Sequence, residues 1–264
     1  MEKVGFFDSG VGGLTVLEAS RETISNLSYY YLGDTKHCPY GDRPLAEVRQ
    51  FALNAVGFLR EQDCSQIVMA CNISSSIALK PARRQFPDLT IHGLINEDLV
   101  NHIKSVTDNG HVGVMATTGT VNSGFYPQQL EPAGLSVHQQ ACSPLVPMIE
   151  AGHHSGPLVR QTLEPLLSPL IKQNVDTLVL GCTHYPFLTD VINDLTNNEI
   201  NLVDPGRVMA NRLKQSLSDS NGEKPAGTFA ATGETESLKE ALEHNFNRTN
   251  VTIEQVTPKE APAE

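Results

Sequence analysis

Four short apolar runs recur along the chain, and each ends in small or polar residues. Val4-Gly5-Phe6-Phe7 leads into Asp8-Ser9-Gly10-Val11-Gly12-Gly13, and Gln66-Ile67-Val68-Met69-Ala70 leads into Cys71-Asn72-Ile73-Ser74-Ser75-Ser76. Val112-Gly113-Val114-Met115-Ala116 leads into Thr117-Thr118-Gly119-Thr120, and Thr177-Leu178-Val179-Leu180-Gly181 into Cys182-Thr183-His184. Runs of this length without strict alternation read as strands buried on both faces. Between them lie amphipathic stretches. From Leu45 to Arg60 the apolar positions are Val48, Phe51, Ala52, Ala55, Val56 and Leu59, a helical spacing. Strands alternating with helices predict an α/β chain with parallel sheets. Gly233 to Leu242 reads as one more loop followed by a helix. The last residues, 257–264, are rich in Pro, Ala and Glu and are expected to fray.

The offsets contain an internal repeat. Cys71 follows its strand 63 residues after Asp8 follows another, and Cys182 stands 65 residues after Thr117. Two halves of similar build would each deliver a cysteine to the C-terminal end of a parallel strand, where ligands bind in open α/β sheets. If the halves face each other, the two cysteines flank one cleft. Coincidence among generic strand–helix units is the alternative.

Composition narrows the classes. Of 264 residues, 39% are apolar and 19% charged, enough for a sizeable core and too few charges for a disordered chain. The 30 acidic against 19 basic residues give a net charge of -11, which argues against a nucleic-acid or anionic-membrane surface. No apolar run approaches a membrane span, and Met1-Glu2-Lys3-Val4 lacks the basic start of a secretion signal. The five cysteines are odd in number and include no CxxC pair. Reduced thiols in a cytoplasm are therefore expected rather than disulfides, and no metal site is expected.

Two cysteines stand out. Cys71 lies between a buried strand and a Ser-rich helix start, and the helix is expected to begin within Ser74–Ser76. A thiol beside a helix N-terminus has its thiolate stabilised by free N–H groups; the plainer reading is a small buried hydrophobe. Cys182 holds the corresponding position in the other half. In an extended segment His184 points to the same side as Cys182 and can assist it. Asp8-Ser9-Gly10 is a weak phosphate-loop signal without a P-loop lysine, but Asp8 at a strand end can help a base or bind an ammonium group. Cys38-Pro39-Tyr40-Gly41 is a turn whose backbone N–H groups can receive a carboxylate. Thr117, Thr118 and Thr120 add hydroxyls of the same use. His153-His154 reads as a solvated loop, since adjacent residues seldom point at one ion.

Two facing thiols suit the inversion of a carbon stereocentre. One base must take a proton from one face while a second group returns one to the other. A thiol titrating near 8.5 can serve as base in one direction and acid in the other. Without a cofactor, such a site must stabilise carbanion character by dense hydrogen bonding to the α-carboxylate.

The motifs Phe7-Asp8-Ser9-Gly10-Val11-Gly12-Gly13-Leu14, Pro39-Tyr40-Gly41, Ala70-Cys71-Asn72 and Leu180-Gly181-Cys182-Thr183-His184-Tyr185-Pro186 resemble those of the glutamate racemases, within the aspartate/glutamate racemase superfamily. They fall in family order over nearly the whole chain. The resemblance implies two pseudo-symmetric α/β domains with mainly parallel sheets and an active site between them. The expected division is 1–93 plus 207–264 for one domain and 94–206 for the other. It implies cofactor-independent interconversion of L- and D-glutamate for peptidoglycan, and a homodimer. Carried over residue by residue, Cys71 and Cys182 match the catalytic thiols, with Asp8 and His184 assisting and Glu150 the acidic residue near the histidine. Ser9, Pro39, Tyr40, Gly41, Asn72, Ile73, Thr117, Thr118, Thr120 and Thr183 fall at substrate-binding positions, with Asp8 and His184 shared. Ile73 is a departure: the family has threonine there, so a hydroxyl is lost while the backbone N–H remains. That change motivates two alternatives, a racemase of aspartate or another amino acid, and a non-racemising amino-acid-binding paralogue. A Cys–His hydrolase would use Cys182 and His184 and leave Cys71 unexplained.

Overall fold

The computed structural model describes residues 2–217 and 226–261. Among these described residues, ten strands fall into two sheets. The first contains β1 (Lys3–Asp8), β2 (Ser28–Gly33), β3 (Gln66–Met69), β4 (Thr90–Gly93), β9 (Gly227–Ala231) and β10 (Ile253–Gln255), in the order β10-β9-β2-β1-β3-β4. The second contains β5 (His111–Ala116), β6 (Ser136–Ala141), β7 (Thr177–Gly181) and β8 (Asn201–Val203), in the order β6-β5-β7-β8. All eight strand pairings among the described residues are parallel. The order β2-β1-β3-β4 repeats as β6-β5-β7-β8, so the halves share a topology and the repeat in the sequence is structural. Among the described residues, no helix is long and apolar enough to cross a membrane.

The continuous apolar runs have the expected cause. Along β1, Phe7 joins the core on one face of the first sheet, with Val48, Val56 and Leu59 of the helix Leu45–Glu61 and Ala78 and Leu79 of the helix Asn72–Gln85. Val4 and Phe6 join the other face, with Leu14, Leu17, Met209, Leu213, Leu238 and Leu242 from the helices Leu14–Thr23, Pro205–Ser216 and Glu236–Phe246. The second sheet is covered likewise. Met115, Leu178 and Leu180 pack under the helix Pro157–Lys172, and Val112, Val114 and Val179 pack against the helices Glu97–Val106 and Phe125–Leu130. Burying such side chains contributes roughly 1.5–3 kcal/mol each.

Three local expectations change. The helix after β3 starts at Asn72 rather than in the Ser run, and Cys71 itself is its extended cap residue, with φ -122°. Ser75 is free to brace the corner instead: its hydroxyl donates to Met69 O at 2.8 Å and accepts from Leu94 N at 3.2 Å. His154 is not solvated like its neighbour; its ring stacks on Phe187 at 4.8 Å. The tail does not fray as far as Ala261. β10 pairs with β9, and Gln50 and Asn54 hold the Ala261 carbonyl and amide at 2.9 and 2.8 Å. Residues 262–264 lie outside the described residues.

Candidate active site

Each sheet sends residues from its strand C-termini into one cavity of 370 Å³, a size usual for small-molecule sites. From the first half come Ser9 after β1, the turn Cys38 to Asp42 after β2, and Cys71, Asn72 and Ile73 after β3. From the second come Thr117 and Thr120 after β5, a stretch from Ser143 to Glu150 after β6, and Gly181 to His184 after β7. Cys71 and Cys182 are both nearly buried, at 5% and 7% exposure, and both line this one cavity. Among its lining residues there is no Lys or Arg. An anion inside must therefore be met by N–H and O–H donors.

The two thiols have different surroundings. Burial pushes the Cys71 thiol up to about 12, and the Asp8 carboxylate pushes the same way; the Ser74 amide and hydroxyl act against them. Its Sγ lies 3.9 Å from Ser9 Oγ. Cys182 Sγ instead lies 3.7 Å from His184 Nδ1, and His184 Nε2 lies 3.1 Å from Glu150 Oε1. Burial pulls the His184 ring down. Its hydrogen bonds to Cys182 and Glu150 outweigh that and carry it up to about 10. The ring is thus an imidazolium at neutral pH, with its Nδ1 turned to the Cys182 sulfur. The cavity then holds a buried thiol pushed upward beside a carboxylate on one side and a sulfur beside an imidazolium on the other.

Asp8 joins the halves beneath the cavity. Its carboxylate accepts from Gly10 N at 2.9 Å and from the Thr183 hydroxyl at 3.4 Å. Burial raises its pKa, opposed by the His184 charge. Two glycines make the approach possible. A Cβ on Gly13 would collide with Asp8 Cβ, and one on Gly12 would lie 2.5 Å from Thr183 Oγ1 and from His184 Nδ1.

Of the residues singled out in the sequence, Ser9, Pro39, Tyr40, Gly41, Cys71, Asn72, Ile73, Thr117, Thr120, Glu150, Cys182, Thr183 and His184 share the cavity. Asp8 and Thr118 do not line it. Asp8 is buried at 1% exposure, and Thr118 turns its hydroxyl to Ser143 Oγ at 2.9 Å. Tyr40 is pinned by donating to buried Asp34, which also accepts from Thr232 Oγ1 at 2.5 Å. Cys38, Asp42, Ser143, Pro144, Val146 and Pro147 line the cavity as well and were not singled out as site residues. The second group follows β6, a half-buried edge strand reading Ser136-Val137-His138-Gln139-Gln140-Ala141, which has no apolar run to mark it. Cys38 was visible as part of the turn; its Sγ lies 3.8 Å from Glu150 Oε1.

Fold and cavity together define a two-sided thiol site where two similar parallel α/β halves meet. Residues 15–213 match the family described as Asp/Glu/Hydantoin racemase. A glutamate racemase of Corynebacterium diphtheriae is 41% identical over 238 residues, covering 88% of this chain and 89% of that protein. A solved glutamate racemase isoform from Bacillus anthracis matches with a TM-score of 0.91 at 30% identity, over 97% of both chains. The enzyme from Francisella tularensis, solved in complex with D-glutamate, matches with a TM-score of 0.87 at 28% identity, also over 97% of both. The chain belongs to the Asp/Glu/Hydantoin racemase family, and within it to the glutamate racemases.

Proposed function

We infer that this cleft interconverts L- and D-glutamate without a cofactor, by a two-base mechanism, and so provides D-glutamate for peptidoglycan. The observation that carries the reading is the pair of cysteines, one from each sheet, lining a single cavity. The glutamate racemases that match over most of the chain support the substrate.

The two environments suit one direction of the reaction as they stand. The Cys182 thiolate takes the α-proton of L-glutamate on one face. The Cys71 thiol, kept protonated by burial and Asp8, gives its proton to the other face and leaves D-glutamate. His184⁺, held by Glu150, stabilises the thiolate before the transfer. The reverse reaction starts with the proton on Cys182 and the charge on Cys71, where the Ser74 N–H and O–H are the favourable contacts. Negative charge developing on the α-carboxylate is met by fixed donors, for which Ser9, Asn72, Thr117, Thr120, Thr183 and the backbone of Tyr40, Gly41 and Ile73 are the candidates. Asp8 acts through Cys71 and Thr183 from behind, and Thr118 through Ser143.

The same reading divides the chain into 1–93 plus 207–264 and 94–206, supported by the strands that make up each sheet. It carries with it a cytoplasmic homodimer, which sedimentation would check. The central test is glutamate incubated with the enzyme in deuterium oxide, with the α-proton followed by NMR and the optical sign by circular dichroism. Both enantiomers should exchange and racemise. Cys71→Ser and Cys182→Ser should each abolish racemisation, and an active Cys71→Ser enzyme rules out the two-thiol mechanism. A variant with one thiol left can still return solvent deuterium to the face it serves, so exchange without inversion is expected for a single enantiomer in each.

A further inference from the structure

The side chain of Asn72 is held from the opposite half of the molecule. Tyr126, in the helix Phe125–Leu130, is completely buried in the core of the second sheet, yet its hydroxyl donates to Asn72 Oδ1 at 2.8 Å. Asn72 is 4% exposed and lines the cavity beside Cys71. Burial moves the Tyr126 phenol upward, so it stays a neutral O–H donor.

An amide is a two-ended group: one end only accepts hydrogen bonds and the other only donates. The phenol settles which end faces which way. Among the described residues, Tyr126 Oη bonds only Asn72, so turning the amide over would leave a buried O–H proton without an acceptor. The same turn would point the amide carbonyl into a cavity that must receive carboxylates. Among the described residues, nothing accepts from Asn72 Nδ2, which is left to the cavity.

We propose that Tyr126 is a positioning residue: by binding the carbonyl of Asn72 across the cleft, it commits the amide N–H₂ to the substrate carboxylate. The proposal rests on the racemase reading and deepens it. The tyrosine touches no substrate. It acts through one amide, and it makes the donor set of the first half depend on the second half being in place.

The test is a double-mutant cycle of Tyr126→Phe with Asn72→Ala, read as KM and kcat in both directions and as the calorimetric Kd for glutamate. Tyr126→Phe should raise KM and Kd by about five- to thirtyfold, the usual range for freeing one buried hydrogen-bonding group, and leave kcat within about threefold. In the Asn72→Ala background the same substitution should change nothing further. Equal losses in both backgrounds overturn the proposal, because the tyrosine would then act through packing alone. Should Tyr126→Phe fail to accumulate as folded protein, the wild type supplies the measurement. Its Asn72 side-chain ¹⁵N–¹H resonances, assigned by their loss in Asn72→Ala, should move when glutamate saturates the site; unmoved resonances overturn the proposal. A wild type that binds and racemises glutamate while the cycle is additive sinks this inference alone. A wild type that does neither sinks the racemase reading and this inference with it.

Discussion

Gly12→Ala adds one methyl group to the turn after β1 and should cripple the site without touching either sulfur. The backbone of Gly12 does not have the positive φ that favours glycine, so the effect is steric. A Cβ there lies 2.5 Å from His184 Nδ1 and Thr183 Oγ1, and 2.6 Å from His184 Cε1, against ordinary contacts of 3.4–4 Å. The crowded Nδ1 is the atom that faces Cys182. Relieving the overlap moves the ring or the threonine by about 1 Å, and a misplacement of that size costs about 10²-fold in rate, or about 2.7 kcal/mol of barrier. Overpacking also lowers stability by about 1–3 kcal/mol, so rates belong well below the melting transition. The assay is the initial rate of optical change from each enantiomer. Mirror-image products have equal free energy in water, so the equilibrium constant is one and the loss in kcat/KM must be the same from either side. A folded Gly12→Ala enzyme within threefold of wild type would show that the His184–Cys182 contact is not what sets the rate.

Three further outcomes are expected. Glu150→Gln replaces the carboxylate that helps hold His184 up at about 10 by a neutral, weaker acceptor, so the imidazolium is lost earlier as pH rises; the alkaline limb of the pH–rate profile should move down, and an unmoved limb refutes the role. Asp8→Asn removes the carboxylate that, after burial, pushes Cys71 upward; alkylation of Cys71 by iodoacetamide at pH 8, followed by mass spectrometry, should speed up, and no acceleration counts against the coupling. Ile73→Thr trades the ethyl arm of a side chain 3% exposed for a hydroxyl and should cost about 1–3 kcal/mol. Its melting temperature should fall while the KM for glutamate falls as well; an unchanged melting temperature would show that Ile73 is not bearing core packing.

What the sequence made legible follows from how each feature is encoded. β1, β3, β5 and β7 are buried on both faces, and their apolar runs are local signals. The cysteines were legible because they come directly after two of those runs. β6 was missed for the opposite reason: an edge strand needs no second apolar face, and its glutamines hide it along with the cavity wall at Ser143 to Pro147. Asp8 and Thr118 come at strand ends beside the cavity without lining it, because their side chains turn to distant residues, Thr183 and Ser143, that no local pattern brings near. The docked tail depends on Gln50 and Asn54, more than 200 residues earlier in the chain, and the bond between Tyr126 and Asn72 spans 54 residues. No window along the chain contains either pair.

The strand order of the first sheet also bears on how the molecule is made. β9 lies directly against β2, but the whole second sheet is synthesised between them. While the ribosome is still building β5 to β8, the outer edge of Ser28–Gly33 has no neighbour, although every one of its six residues is buried in the finished protein. An open edge carrying Tyr29-Tyr30-Tyr31-Leu32 is a template for pairing with another nascent chain. Stop codons or protease cuts ahead of Gly227 would therefore yield fragments prone to aggregate, rather than a smaller soluble half.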